Sequence, residues 1–239
     1  MAKKFNIDIY SDGADIQDMK KVIDYGFIDG FTTNPSLMKK AGVKDYLSFA
    51  KEVVATFPDL PISFEVFSND FETMEKEAKI IHSLGSNVFV KIPVITVDGQ
   101  STAPLIKRLS DQGIFVNVTA IATVEQVQAA VDAFHEGTTN LVSIFVGRVA
   151  DAGLDPTDFV KESVAICQKV PAAKLLWAST REVANVYQAA QAGVDIITVP
   201  PAILTKLQNV GKTAAEVSLA TVKGFEKDIS SLGFSILDD

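Results

Sequence analysis

The chain has little of what several common chemistries require. It holds one cysteine, Cys167, so no internal disulfide can form. That thiol falls in the apolar run of an expected helix and reads as core rather than as a nucleophile. Histidine occurs only twice. His82 sits beside Ile81 in a helical pattern and His135 near a helix end, and both read as structural or surface groups. No His/Cys/carboxylate cluster has metal-ligand spacing, so no metal is expected. A Ser-His-Asp or Cys-His hydrolase lacks its parts. Neither G-x-G-x-x-G nor G-x-x-x-x-G-K occurs, so no nucleotide cofactor is expected.

A basic excess is missing too. Lys and Arg number 22 against 30 Asp and Glu, a net charge of −8. Nucleic acid needs a basic face and is not an expected partner. A small anionic substrate needs only a few local cations and remains open. No run approaches the ~20 apolar residues of a membrane span, and the opening MAKKFNIDIY has no apolar h-region. A soluble, cytoplasmic protein without a membrane partner is the expectation. No Pro/Gly/Ser-rich linker divides the chain, which suggests one domain over residues 1–239.

What is present is an alternation. Short segments rich in Val, Ile and Phe lie at 6–10, 30–33, 62–67, 87–92, 115–120, 141–146, 174–178 and 195–199. They read as strands buried on both faces. Helical patterns lie between them, at 15–25, 69–84, 123–134 and 181–192 among others. Thr123 and Gln126 form a possible capping box, and Gly193 is a usual helix stop. Eight strands each followed by a helix predict an α/β fold of the (β/α)8 type, with a doubly wound sheet as the competitor. The segment 213–232 is an additional C-terminal helix that either caps the barrel or reaches a neighbouring subunit.

One of these strands carries an unusual residue. Val88-Phe89-Val90-Lys91-Ile92-Pro93 places an ammonium group inside an apolar run. Lysine is almost never fully buried without a partner. Dehydration disfavours its charged form, and a neutral amine can form a Schiff base with a ketone or aldehyde. The plainer reading is a lysine that snorkels from a strand end.

Barrel enzymes work at the C-terminal ends of their strands, and polar residues gather there. Asp12 follows strand one, the run Thr32-Thr33-Asn34-Pro35-Ser36 follows strand two, and Glu65 lies within strand three. Strand five carries Asn117 and Thr119. Strand six carries Ser143, with Arg148 beyond it, and strand seven leads to Ser179 and Arg181. Only the eighth strand adds nothing. Each residue has a structural reading: a turn at Asp12-Gly13, a helix start at Asn34-Pro35, solvated arginines. Their convergence on one rim favours a site. Glu65 resists the structural reading best, since a lone carboxylate in an apolar strand carries a large desolvation cost. With Asp12 it offers the proton traffic that imine chemistry needs.

Thr32-Thr33-Asn34-Pro35-Ser36-Leu37 resembles the TTNPSL motif of transaldolases. Val90-Lys91-Ile92-Pro93 resembles their VKIP strand, Asn117-Val118-Thr119 their NVT, Ser143-Ile144-Phe145-Val146-Gly147-Arg148 their SPFVGR, and Ala178-Ser179-Thr180-Arg181 their A-S-x-R segment. The motifs stand in family order over nearly the whole chain, and the length resembles the small branch that includes the fructose-6-phosphate aldolases. The resemblance implies a single (β/α)8 TIM barrel and sugar-phosphate substrates without a cofactor. It also implies homo-oligomers, pentamers or decamers, engaged through the C-terminal helix.

By the same resemblance, Lys91 forms the Schiff base and Asp12 is the general base at the C4 hydroxyl, with Asp8 a weaker candidate. Glu65 activates water together with Thr119. Asn34, Asn117 and Ser143 hold the dihydroxyacetone hydroxyls, and Thr33, Ser36 and Phe145 also bind substrate. Arg148, Ser179 and Arg181 take the phosphate. Phe64 stands where a small residue is common, which implies a crowded pocket, and Ile144 replaces the usual proline beside Ser143.

The implied activity is a transaldolase of the pentose phosphate pathway. It moves dihydroxyacetone from sedoheptulose 7-phosphate or fructose 6-phosphate to glyceraldehyde 3-phosphate or erythrose 4-phosphate. A fructose-6-phosphate aldolase, releasing free dihydroxyacetone, is the alternative. That branch has glutamine at the Glu65 position and tyrosine at the Phe145 position. A barrel that binds sugar phosphate without turnover is the third reading, and the intact Lys91, Asp12 and Glu65 set argues against it.

Overall fold

A computed structural model describes residues 5–207 and 210–237. The chain divides into two compact units, Met1–Leu204 and Thr205–Asp239. In the first, eight parallel strands close a barrel in chain order. They are β1 (Asp8–Asp12), β2 (Gly30–Thr32), β3 (Ile62–Glu65), β4 (Val88–Pro93), β5 (Val116–Ile121), β6 (Asn140–Ile144), β7 (Ala173–Trp177) and β8 (Ile196–Val199). The doubly wound alternative is thereby excluded.

Helices occupy every crossover. They are α1 (Ile16–Ile23), α2 (Pro35–Lys40), α3 (Tyr46–Thr56), α4 (Phe71–His82), α5 (Ala103–Asp111), α6 (Val124–Val131), α7 (Val146–Asp151), α8 (Thr157–Cys167) and α9 (Ala184–Ala192), with α10 (Pro201–Leu207) after β8. Their boundaries follow from local chemistry. Asp15, Asp70 and Thr123 accept backbone N–H groups at the starts of α1, α4 and α6, with Gln126 completing the box at α6. Gly193 ends α9 at φ 82°, a conformation that costs other residues a Cβ clash. The Cys167 thiol is buried, which pushes its pKa up to about 12 and makes it inert at neutral pH.

The barrel interior is layered. Tyr10, Phe89, Leu141, Leu176 and Ile196 come from five different strands and meet in one apolar cluster. Side chains alternate along a strand with period two. The residue two positions further on therefore faces the same interior, one layer nearer the C-terminal rim. Those residues are Asp12, Lys91, Ser143, Ala178 and Thr198. An apolar floor, to which Ala178 also belongs, thus lies directly beneath the polar groups of Asp12, Lys91, Ser143 and Thr198. Phe64 belongs to neither: it faces α3, packing edge-on against Tyr46 and Phe49 at ring separations of 6.3 Å. The expected crowding of the pocket by Phe64 does not occur.

The second unit contains α11 (Ala214–Ser231), started by a capping box between Thr213 and Glu216. Val222, Phe225, Ile229 and Leu232 recur at helical spacing and are 53–62% exposed.

Candidate active site

A cleft of about 160 Å³ opens at the C-terminal rim, lined by Asp12, Thr32, Asn34, Lys91, Thr119, Ser143, Phe145, Arg148, Ser179, Arg181 and Thr198, among others. A larger cavity of about 680 Å³ lies against α8 and α9, with Trp177 in its wall. It gathers neither Lys91 nor Asp12, so chemistry rather than size marks the site.

Lys91 is 5% exposed. Strand register places it between Glu65 on β3 and Asn117 on β5. Its Nζ donates to the Thr33 carbonyl at 2.9 Å and lies 3.3 Å from Glu65 Oε2. The amine is therefore buried with two acceptors, one of which can exchange a proton with it. Glu65 is itself fixed. Its carbonyl accepts from the Tyr46 hydroxyl at 2.9 Å. The turn just beyond it is tied down by Glu77, which accepts from the N–H groups of Phe67 and Ser68 and from the Ser68 hydroxyl.

Asp12 closes β1. Burial is the main influence on it and raises its pKa above the ordinary carboxylate value, with Glu65 adding to the effect. The Lys91 charge and a hydrogen bond from Thr32 oppose this. That bond, from Thr32 Oγ1 to Asp12 Oδ1, is 2.8 Å long.

The remaining polar groups divide into three sets. Thr119 Oγ1 is buried and has no hydrogen-bond partner among the described residues, although Thr119 lines the cleft. The β5–β6 register shifts between Val118 and Ile121, and Ala120 takes φ 61°. This irregularity re-aims the chain beside the site. Ser143 donates to Asn117 Oδ1 at 2.6 Å, and Asn117 Nδ2 donates to Ser63 Oγ at 3.0 Å. Asn117 is thus held beneath the cleft wall and presents Ser143. Asn34 serves two purposes: its Oδ1 caps α2 through Leu37 N at 2.9 Å, which leaves its NH₂ group for the cleft it lines.

The third set is cationic. Arg148 rises from α7, and Arg181 follows β7. Arg181 Nε donates to Asp151 Oδ1 and Oδ2 at 3.2 and 3.0 Å, and Nη2 donates to Oδ2 as well. The carboxylate takes one edge of the guanidinium and leaves the end-on fork open for an oxyanion. Between the arginines Ser179 adopts φ 65°. A Cβ on Gly147 would lie 1.8 Å from the Ser179 carbonyl oxygen, so only glycine lets α7 approach this closely.

Three expected residues are placed differently. Thr33 points its hydroxyl at the Ser63 carbonyl, 2.9 Å away, and meets Lys91 through its own carbonyl. Ser36 is exposed in the first turn of α2 and does not line the cleft. Asp8 begins β1 beside Ile196, at the opposite end of the barrel from Asp12. The lining residues that were not anticipated as site residues include Thr32 and Thr198. The alternation rule could have found Thr198, whereas Thr32 is identified by strand pairing. Thr32 pairs with Asp12 in register, and Thr198 is the only polar residue of β8.

Comparison with known proteins agrees with this geometry. A family model described as Transaldolase/Fructose-6-phosphate aldolase matches residues 9–236. The chain belongs to that family. Transaldolase/fructose-6-phosphate aldolase proteins similar to it include one named probable transaldolase from Erythrobacter litoralis (strain HTCC2594). It is 37% identical over 229 residues, covering 95% of this chain and 99% of the relative. Another of that name, from Nitrosopumilus maritimus (strain SCM1), is 37% identical over 203 residues, covering 83% and 86%. Among solved structures, 3-hexulose-6-phosphate synthase from Salmonella typhimurium aligns with TM-score 0.59 at 16% identity over 85% of this chain and 98% of that one. At that identity it supports the barrel fold alone. As a member of the transaldolase/fructose-6-phosphate aldolase family, the protein is an enzyme.

Proposed function

We propose that the protein is a transaldolase that moves dihydroxyacetone between sugar phosphates through a Schiff base on Lys91. The observation that carries this reading is the Lys91 Nζ, buried at the cleft and 3.3 Å from Glu65, with Asp12 and two arginines in the same wall. Glu65 takes the ammonium proton, and the neutral amine attacks the C2 carbonyl of a ketose phosphate. The carbinolamine loses its oxygen as water, protonated by way of Glu65 and Thr119, whose hydroxyl needs a partner. Asp12 then removes the C4 hydroxyl proton. The C3–C4 bond breaks, its electron pair flows into the protonated imine, and an aldose phosphate departs. The bound enamine attacks an acceptor aldose phosphate by the reverse path, and water releases the product. Asn34 and Ser143 hold the three-carbon unit, while Arg148, Ser179 and Arg181 hold the phosphate. A homo-oligomer built through the apolar face of α11 is part of this proposal.

Phe145 supports transfer over simple aldol cleavage. It lines the cleft, and a phenyl ring cannot protonate the enamine to release dihydroxyacetone as a phenol could. Borohydride reduction in the presence of fructose 6-phosphate should leave a mass adduct on Lys91. Its absence would remove the Schiff-base reading. With the adduct established, free dihydroxyacetone should accumulate only slowly without erythrose 4-phosphate, and Phe145→Tyr should raise that release. Rapid release by the unaltered enzyme would make it an aldolase.

A further inference from the structure

We infer that Thr198 is a positioning residue for Asp12, acting through the Thr32 hydroxyl. The inference rests on the reading of Asp12 as the base of the cleavage step. Thr32 Oγ1 lies 2.8 Å from Asp12 Oδ1 and 2.5 Å from Thr198 Oγ1. A threonine hydroxyl has one proton, and an ionised carboxylate only accepts. The Thr32 proton is therefore committed to Asp12. That leaves one assignment for the second contact: Thr198 donates and Thr32 accepts.

The resulting chain runs in a single direction, from Thr198 through Thr32 to Asp12. It is sheltered from water, with Thr198 4% and Thr32 2% exposed. Its far end is anchored, since the Thr198 carbonyl accepts from the Thr180 hydroxyl at 2.7 Å and its strand is paired with β1 at Tyr10.

Donation by Thr198 polarises the Thr32 O–H and strengthens its bond to the carboxylate. A hydrogen bond to the charged form favours that form. The chain thus opposes the burial that pushes Asp12 toward its protonated, inactive state, and it leaves Oδ2 as the oxygen that takes the substrate proton. The other charged groups facing Asp12 come from several elements. Lys91, Arg148 and Arg181 share the cleft, and Glu65 lies beside Lys91 on β3. Asp15, Asp18 and Lys40 line an adjoining crevice on the α1 and α2 side. Among the described residues none of these side chains hydrogen-bonds to Asp12, so Thr32, held by Thr198, sets the orientation.

The test uses Thr198→Val, which keeps the shape without the hydroxyl, and Thr198→Ser, which keeps the hydroxyl. Wild type and both variants are first trapped with borohydride and fructose 6-phosphate, a reaction that does not use Asp12. Transfer to erythrose 4-phosphate is then followed against pH. In the valine variant the Lys91 adduct should form at the wild-type rate. The kcat for transfer should fall roughly three- to tenfold, with KM changed less than about twofold. The acid limb of the kcat profile should move up by about half a pH unit. Serine should restore the limb. Thr198→Ala reads the same limb if the valine protein does not fold. An unmoved limb overturns the inference, and so does a serine variant displaced as far as valine, which would indicate packing. Failure of wild type to form the adduct removes the transaldolase reading itself and this role with it.

Discussion

On the proposed role of Asp12, function and stability oppose each other at one residue. Its carboxyl is held above its ordinary pKa by burial, so the folded chain binds that proton more tightly than the unfolded chain does. Its contribution to stability is therefore present at low pH and is lost as pH rises from the ordinary value through the raised folded one. Asp12→Asn removes the charge but keeps an oxygen to accept from Thr32. This variant should lose transfer activity and gain about 2 °C in Tm at pH 7, with the gain shrinking as the pH falls through that window. A thermal melt showing the Asn protein less stable at pH 7 would contradict the assignment. That Asp12, Glu65 and Lys91 come together near the C-terminal rim was legible in the sequence, because each sets a charge in or beside an apolar strand. Which of two adjacent threonines faces inward was not. A shift of one residue exchanges the faces of a strand, and only the pairing of Thr32 with Asp12 resolves it.

At the scale of elements, α7 carries the end of the cleft proposed to take the phosphate. It is six residues long, yet it supplies Gly147 for close approach to Ser179, Arg148 toward the cleft, and Asp151 against Arg181. Asp151→Asn should loosen the Arg181 guanidinium and raise KM for fructose 6-phosphate about threefold, as suits an exposed ion pair. The kcat should hold steady and unphosphorylated fructose should respond less. Equal effects on both sugars would show that Asp151 does not act through the phosphate. All eight strands were legible within about two residues, since buried parallel strands read as apolar runs. The short α7 was not, because SIFVGRVAD continues the apolar run of β6 and its helical turn depends on the glycine contact with Ser179. Phe64 was misjudged for a related reason: position within a strand motif does not say whether a side chain faces the barrel or its helices.

At the scale of the whole molecule, two surfaces stand out. The net charge is −8, yet Lys91, Arg148 and Arg181 bring positive charge together at one rim, as a phosphorylated substrate requires. The other surface is the row Val222, Phe225, Ile229 and Leu232, all exposed on α11. No helix among the described residues is long and apolar enough to cross a membrane. Contact with a second copy is the use proposed for this row. Val222→Glu with Phe225→Glu should shift the protein to a smaller species by light scattering. An unchanged mass would remove α11 from the assembly. The sequence pattern showed this helix and its apolar positions, but not whether a neighbour covers them, since amphipathic spacing is the same in either case.

The hydrogen bond between Thr32 and Thr198 joins residues 166 positions apart, across the seam where the last strand of the barrel meets the first. A chain still being synthesised can hold Lys91, Glu65 and Asp12 long before β8 has emerged. In that state it has the residues proposed as nucleophile and base but no anchor behind Asp12. On the proposed roles, aldol cleavage should therefore be slower in a nascent or C-terminally truncated chain than in one whose ring is complete.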